Sequence, residues 1–204
     1  YWDPDNPTFR ILISKDDICK TLVSALIHDL GQTAFGHDIE EINEELFSHG
    51  EFTKKLLDLS ASEKMTEKLG ESLKKIVEDP EPHGWGLKDF QSVLKFLKNE
   101  TEKPLDTLLH QIVDGPIDAD KLDYLVRDSV NCRVQYGHGI DVTRFLRSLT
   151  SICIEIKVTR KAKLELAIKA KGKASADAFT MARTQMYQAV YWHHTFRAIK
   201  AMFL

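Results

Sequence analysis

The stretch Asp118-Ala119-Asp120-Lys121-Leu122-Asp123-Tyr124-Leu125-Val126-Arg127-Asp128 constrains this chain more than any other. Leu122, Leu125 and Val126 fall at the spacing of a helix's inner stripe, which predicts a strong helix over about 119–130. Asp120, Tyr124 and Asp128 stand at i, i+4 and i+8, so they share one helix face. Asp123 and Arg127 make an ordinary solvated i,i+4 pair. Solvation explains less well a tyrosine set between two aspartates. Asp114-Gly115-Pro116 breaks the chain just before this helix.

The remaining pattern is also mainly helical. Ser14-x-x-Asp17 opens a helix whose inner stripe is expected to hold Ile18, Leu22, Ala25 and Leu26, with a glycine stop at Leu30-Gly31. Further helices are expected over 39–47, 52–59, 66–77, 87–98 and 105–113, with a Pro- and Gly-rich loop over 79–86. β-branched and alternating residues over 152–158 and 164–170 predict a small hairpin across a basic connection. A last long helix is expected from about Ala174 onward. The fold class is therefore mainly α with a minor β element. The 204 residues suit one domain, and the absence of an initiator Met suggests a core truncated at both ends of a longer protein.

A hydrophobic share of 43% with 29% charged residues is that of a folded globular chain. The net charge of −3 argues against a broadly basic nucleic-acid surface, while leaving room for a local cationic pocket. Nothing resembles an apolar span or a signal peptide, and Cys19, Cys132 and Cys153 are too dispersed for a zinc knuckle or disulfide framework. A cytoplasmic location is the expectation.

Four segments carry chemistry. His28-Asp29 closes an apolar helix; alone, it reads more readily as a structural helix-end pair. Phe35-Gly36-His37-Asp38-Ile39-Glu40 follows, with His37 and Glu40 three apart and in reach of each other, a carboxylate-oriented imidazole suited to proton transfer. His49 adds another titratable group. Arg183, Tyr187 and Tyr191 repeat every four residues ahead of His193 and His194, giving a polar-aromatic stripe or an interfacial helix edge.

Together with the Asp118–Asp128 stretch, these motifs resemble the HD-superfamily phosphohydrolases. More narrowly they resemble the branch of deoxynucleoside triphosphate triphosphohydrolases, which includes the sterile-alpha-motif/HD enzymes. The resemblance implies an HD-domain helical core, with the hairpin near 152–170. It implies one divalent metal, whether Mn, Mg, Fe, Ni or Zn, held by His28, Asp29 and Asp120. It gives His37, Glu40 and His49 proton-handling roles. Lys121, Tyr124 and Arg183 fall where relatives meet the triphosphate, Asp128 and Tyr191 where they meet the sugar, and Tyr187 completes the substrate-binding stripe. The implied reaction yields a nucleoside and inorganic triphosphate, in a homo-oligomer and away from membranes.

Two positions depart from the family pattern. The family's first metal-binding His precedes the doublet, yet residues 1–27 contain none, and Gln32 stands where many relatives have His. The alternatives are a phosphodiesterase or nucleotidase on another phosphoester, and a regulatory subunit with the HD fold but impaired catalysis. The basic residues Arg160, Lys161, Lys163, Lys169, Lys171 and Lys173 read as a solvated hairpin surface or as a nucleotide-responsive one.

Overall fold

The computed structural model describes residues 12–32, 40, 48–57, 87–101, 103–156 and 161–203. These fall into two compact units, one with the described residues between 15 and 101, the other with those from 103 on together with 12–14. The helices expected over 39–47 (Glu40 apart) and 66–77, the loop over 79–86, and His37 lie outside the described residues.

In the first unit, α1 (Lys15–Ile27) packs on α3 (Leu87–Leu97), and α2 (His49–Leu57) lies between them in the chain. Asp16 and Asp17 sit in the first turn of α1, where carboxylates complement the helix dipole. Phe90, Val93 and Phe96 line the buried side of α3 at helical spacing. The inner stripe expected for α1 is reversed: Ile18, Leu22 and Leu26 are 50%, 60% and 83% exposed, while Lys20 and Ser24 are buried. Lys20 turns inward because its ammonium lies 5.3 Å from the Phe96 ring centroid and 3.7 Å from the Asp17 carboxylate. The aromatic face and the acid together accept the charge while the alkyl stem is buried.

The second unit runs α4 (Pro104–Val113), α5 (Ala119–Asn131), α6 (Val142–Ser148), β1 (Leu149–Ile156), β2 (Lys161–Ile168), α7 (Lys173–Met186), a wide π-type turn (Tyr187–Tyr191) and α8 (His194–Phe203). Pro104 opens α4, where its missing N–H costs nothing. Leu122, Leu125, Ile140, Phe145, Phe179, Ala182 and Met186 form the core of this unit, with the Phe145 and Phe179 rings stacked at 5.8 Å. The fold is mainly helical with a two-stranded antiparallel sheet among the described residues.

The hairpin pairs Leu149 with Ile168 through to Ile156 with Lys161, a few residues earlier than the alternation indicates. Leu149 and Ile168 pack against the helical core, and Lys169 N–H donates to the Ser148 carbonyl at 2.8 Å, so pairing begins where α6 stops. Gln111 Oε1 accepts from Leu166 N–H at 2.8 Å and fastens β2 to α4.

The uninterrupted last helix is corrected as well. After Met186 the ladder widens, Trp192 N–H reaches back five residues to the Tyr187 carbonyl at 2.7 Å, and a new helix starts at His194. Packing of Tyr187 against both Tyr191 (5.2 Å) and Trp192 (5.6 Å) accounts for the wider turn. Such turns often mark functional sites.

Candidate active site

In the first unit, the candidate residues gather around the turn that ends α1. His28 N–H still bonds to the Ser24 carbonyl, and Gln32 N–H to that of Asp29, so residues 28–31 form a tight turn off the helix. His28 Nδ1 lies 2.8 Å from the Ala25 carbonyl oxygen. A carbonyl can only accept, so Nδ1 carries a proton, and in the neutral tautomer the lone pair stands on Nε2. That Nε2 faces Asp29 Oδ1 at 3.4 Å.

His49, at the start of α2, is set in the same sense. Glu40 Oε1 accepts from the His49 backbone N–H at 2.6 Å and from its Nδ1 at 2.5 Å, and His49 Nε2 lies 3.7 Å from Asp29 Oδ1. The sequence spacing pairs Glu40 with His37; the structure shows Glu40 holding His49, nine positions away. Two imidazoles, each tied at Nδ1, thus turn Nε2 toward one carboxylate oxygen.

This donor set suits a divalent cation. In the neutral tautomer, lone pairs on His28 Nε2 and Asp29 Oδ1 face each other at 3.4 Å, and a cation would relieve that repulsion. Mixed imidazole and carboxylate donors are those of divalent first-row metals. Among the described residues, no three His, Cys, Asp or Glu side chains are grouped to hold a metal ion.

In the second unit, the candidate residues stand on α5, α7 and the wide turn after α7. Asp118 caps α5, accepting from Lys121 N–H at 2.8 Å and from Gly115 N–H at 3.2 Å. Asp120 stands exposed in the first helical turn. The Lys121 ammonium folds back onto the Asp118 carboxylate and donates to the Gly115 carbonyl at 3.0 Å, so it also pins the turn before α5. Gly115 is required there, because a Cβ would stand 2.3 Å from the Gln111 carbonyl oxygen.

One turn on, Tyr124 meets Tyr191 edge to face at 6.0 Å, and the Tyr191 hydroxyl donates to Asp128 Oδ2 at 2.8 Å. The Arg183 guanidinium lies over the Tyr187 ring at 5.4 Å. Burial, then the neighbouring Tyr187, pushes the Tyr124 phenol up from its ordinary range. Burial and the Asp128 carboxylate push Tyr191 up further. Burial opposes the charge on Arg183, but hydrogen bonds with Tyr187 and Tyr124 outweigh it and raise its pKa. The cluster therefore sets three phenols, Tyr124, Tyr187 and Tyr191, beside the Arg183 cation and the Asp128 carboxylate. Asp123 and Arg127 pair on the exposed side at 2.9 Å.

A cavity of about 490 Å³ opens elsewhere in this unit, between the end of α4 and the hairpin, and no candidate site residue lines it. Two side chains escape a linear reading. Thr53 bridges the His28 turn to α2, and nothing at its position hints at this. Asp118 offers the usual signal of an acidic residue just before a helical run.

The chain belongs to the HD-domain family: the HD-domain pattern matches residues 6–128 and that of the HD-associated region residues 140–204. An uncharacterized protein of Methanocaldococcus jannaschii, MJ1154, is 32% identical over 188 residues, covering 91% of this chain and 33% of the relative. The uncharacterized YwfO of Bacillus subtilis is 28% identical over 190 residues, 93% of this chain and 36% of its own length. An MG461 homolog of Mycoplasma pneumoniae is 26% identical over 177 residues, with 83% of this chain and 36% of the relative covered. The chain thus spans about a third of the length of these curated relatives. No helix among the described residues is long and apolar enough to cross a membrane.

Proposed function

We propose that this chain carries a metal-dependent phosphohydrolase site that cleaves deoxynucleoside triphosphates to deoxynucleoside and triphosphate. The observation behind it is the arrangement of His28 and His49, both with Nε2 turned to Asp29 Oδ1 and both fixed at Nδ1. The family resemblance assigns His28, Asp29 and Asp120 to the metal, whose charge would polarise a phosphoryl oxygen.

The side chains supply the rest. Glu40 fixes His49 at Nδ1, so the ring can take or return a proton at Nε2 without turning. His37 is assigned a parallel proton-handling role by the family pattern. Arg183, with the Tyr124 and Tyr187 phenols at its sides, presents a fixed cation to phosphate oxygens. Asp128 accepts from Tyr191 through Oδ2 and retains Oδ1 as an acceptor for a sugar hydroxyl, beside an aromatic ring on which the sugar can rest.

The test is incubation of the protein with each dNTP and Mn²⁺ or Mg²⁺, with products separated by ion exchange. Nucleoside and triphosphate are expected, absent from a His28→Ala, Asp29→Ala variant. Release no greater than in that variant would overturn the proposal. Lys121 favours a second reading, a less charged phosphoester, because its ammonium is already engaged by Asp118 and the Gly115 carbonyl. Release of a nucleotide instead of a nucleoside would select it.

A further inference from the structure

The two halves of the doublet turn are held by a residue outside the catalytic motifs. Thr53, four positions after His49 on α2, is 3% exposed. Its hydroxyl donates to the His28 carbonyl at 2.9 Å and accepts from Gly31 N–H at 2.8 Å. One oxygen therefore closes the turn from both ends and ties it to the helix that begins with His49. Gly31 makes the closure possible: a Cβ there would lie 2.3 Å from Thr53 N, 2.6 Å from the His49 carbonyl oxygen and 2.7 Å from Phe52 Cβ. The turn and the first residues of α2 are in backbone contact, with no side chain between them.

The consequence is geometric. His28 is oriented locally by Ala25, and His49 by Glu40, but neither bond fixes the distance between the two rings. The Thr53 hydroxyl and the Gly31 contact do. We propose that Thr53 is a positioning residue that sets where the His28 and His49 imidazoles stand about Asp29. The proposal rests on reading those three side chains as the working ones. A hydroxyl is what the place requires, because one atom must both donate and accept. Valine has the same shape and can do neither.

The experiment compares Thr53→Val and Thr53→Ser in the full chain by two readouts. The first is metal-free: long-range ¹H–¹⁵N correlation spectra of the histidine rings, assigned with His28→Gln and His49→Gln. Wild type and Thr53→Ser are expected to show both rings protonated at Nδ1, and Thr53→Val to show shifted, averaged ring signals for both. The second is calorimetric titration with Mn²⁺ alone. There Thr53→Val is expected to bind about 10-fold more weakly, the scale of losing an outer-shell partner, and Thr53→Ser to recover most of that loss. Ring spectra of Thr53→Val that match wild type would overturn the proposal, as would equal damage from Thr53→Val and Thr53→Ser. If the wild-type protein binds no Mn²⁺, the metal reading fails by itself and the ring spectra still decide the role of Thr53.

Discussion

Removing the Tyr191 hydroxyl tests whether the phenol–carboxylate contact holds the wide turn in place. Tyr191→Phe deletes one hydrogen bond of 2.8 Å to Asp128 and leaves the ring contacts to Tyr124 and Tyr187 intact. A hydrogen bond to a charged acceptor contributes about 1.5–3 kcal/mol, against about 1 kcal/mol for a neutral one. The Asp128 side chain is 32% exposed, so water screens part of this and the lower end applies. Tyr191→Phe should therefore destabilise the unit by about 1–1.5 kcal/mol, and Asp128→Ala by a similar amount. Because each removes the same bond, the double variant should cost about 1 kcal/mol less than the sum. Urea unfolding followed by circular dichroism reads this as a midpoint shift of roughly 0.5–1 M per single variant. Additive single and double variants, within about 0.3 kcal/mol, would refute the reasoning.

Three other outcomes are expected. The folded state holds Tyr124 and Tyr191 neutral above the pH at which the unfolded phenols ionise, near 10, so their contribution is complete below that pH and is lost as pH rises beyond it. Urea midpoints between pH 8 and 11 should fall above about 10, and fall less steeply in Tyr191→Phe; equal slopes would count against it. Gly31→Ala forces a Cβ into backbone atoms of Thr53 and His49, so it should destabilise the first unit by more than about 2 kcal/mol, measurable as lost hydrogen-exchange protection in α1 and α2. Ser24 Oγ is buried and has no hydrogen-bond partner among the described residues, so Ser24→Ala should raise stability by about 0.5–1.5 kcal/mol in the same urea assay; a lower midpoint would count against this.

The parts legible in the sequence are those written within one helix. Leu122 and Leu125 are buried where their period places them, and Arg183, Tyr187 and Tyr191 share a cluster as their spacing indicates. Periodicity failed at α1 because it identifies the apolar face without saying which face meets a neighbour. Phe96 and Asp17 gave Lys20 a better place inside than the pattern allows for. The Glu40–His49 and Thr53–His28 contacts, 9 and 25 positions apart, depend on turns that no local rule encodes. The break after Met186 was hidden for a different reason: Tyr187 to Trp192 contains neither Gly nor Pro, and aromatic packing alone widens the ladder.

That widened turn also leaves an optical reporter where one is useful. Trp192 is 66% exposed, yet its indole stands perpendicular to the Tyr187 ring on which Arg183 lies. An anion drawn to that guanidinium would disturb the tyrosine and, through it, the emission of the neighbouring indole. Occupancy of this cluster could then be followed without a label, in a chain with only three tryptophans to tell apart.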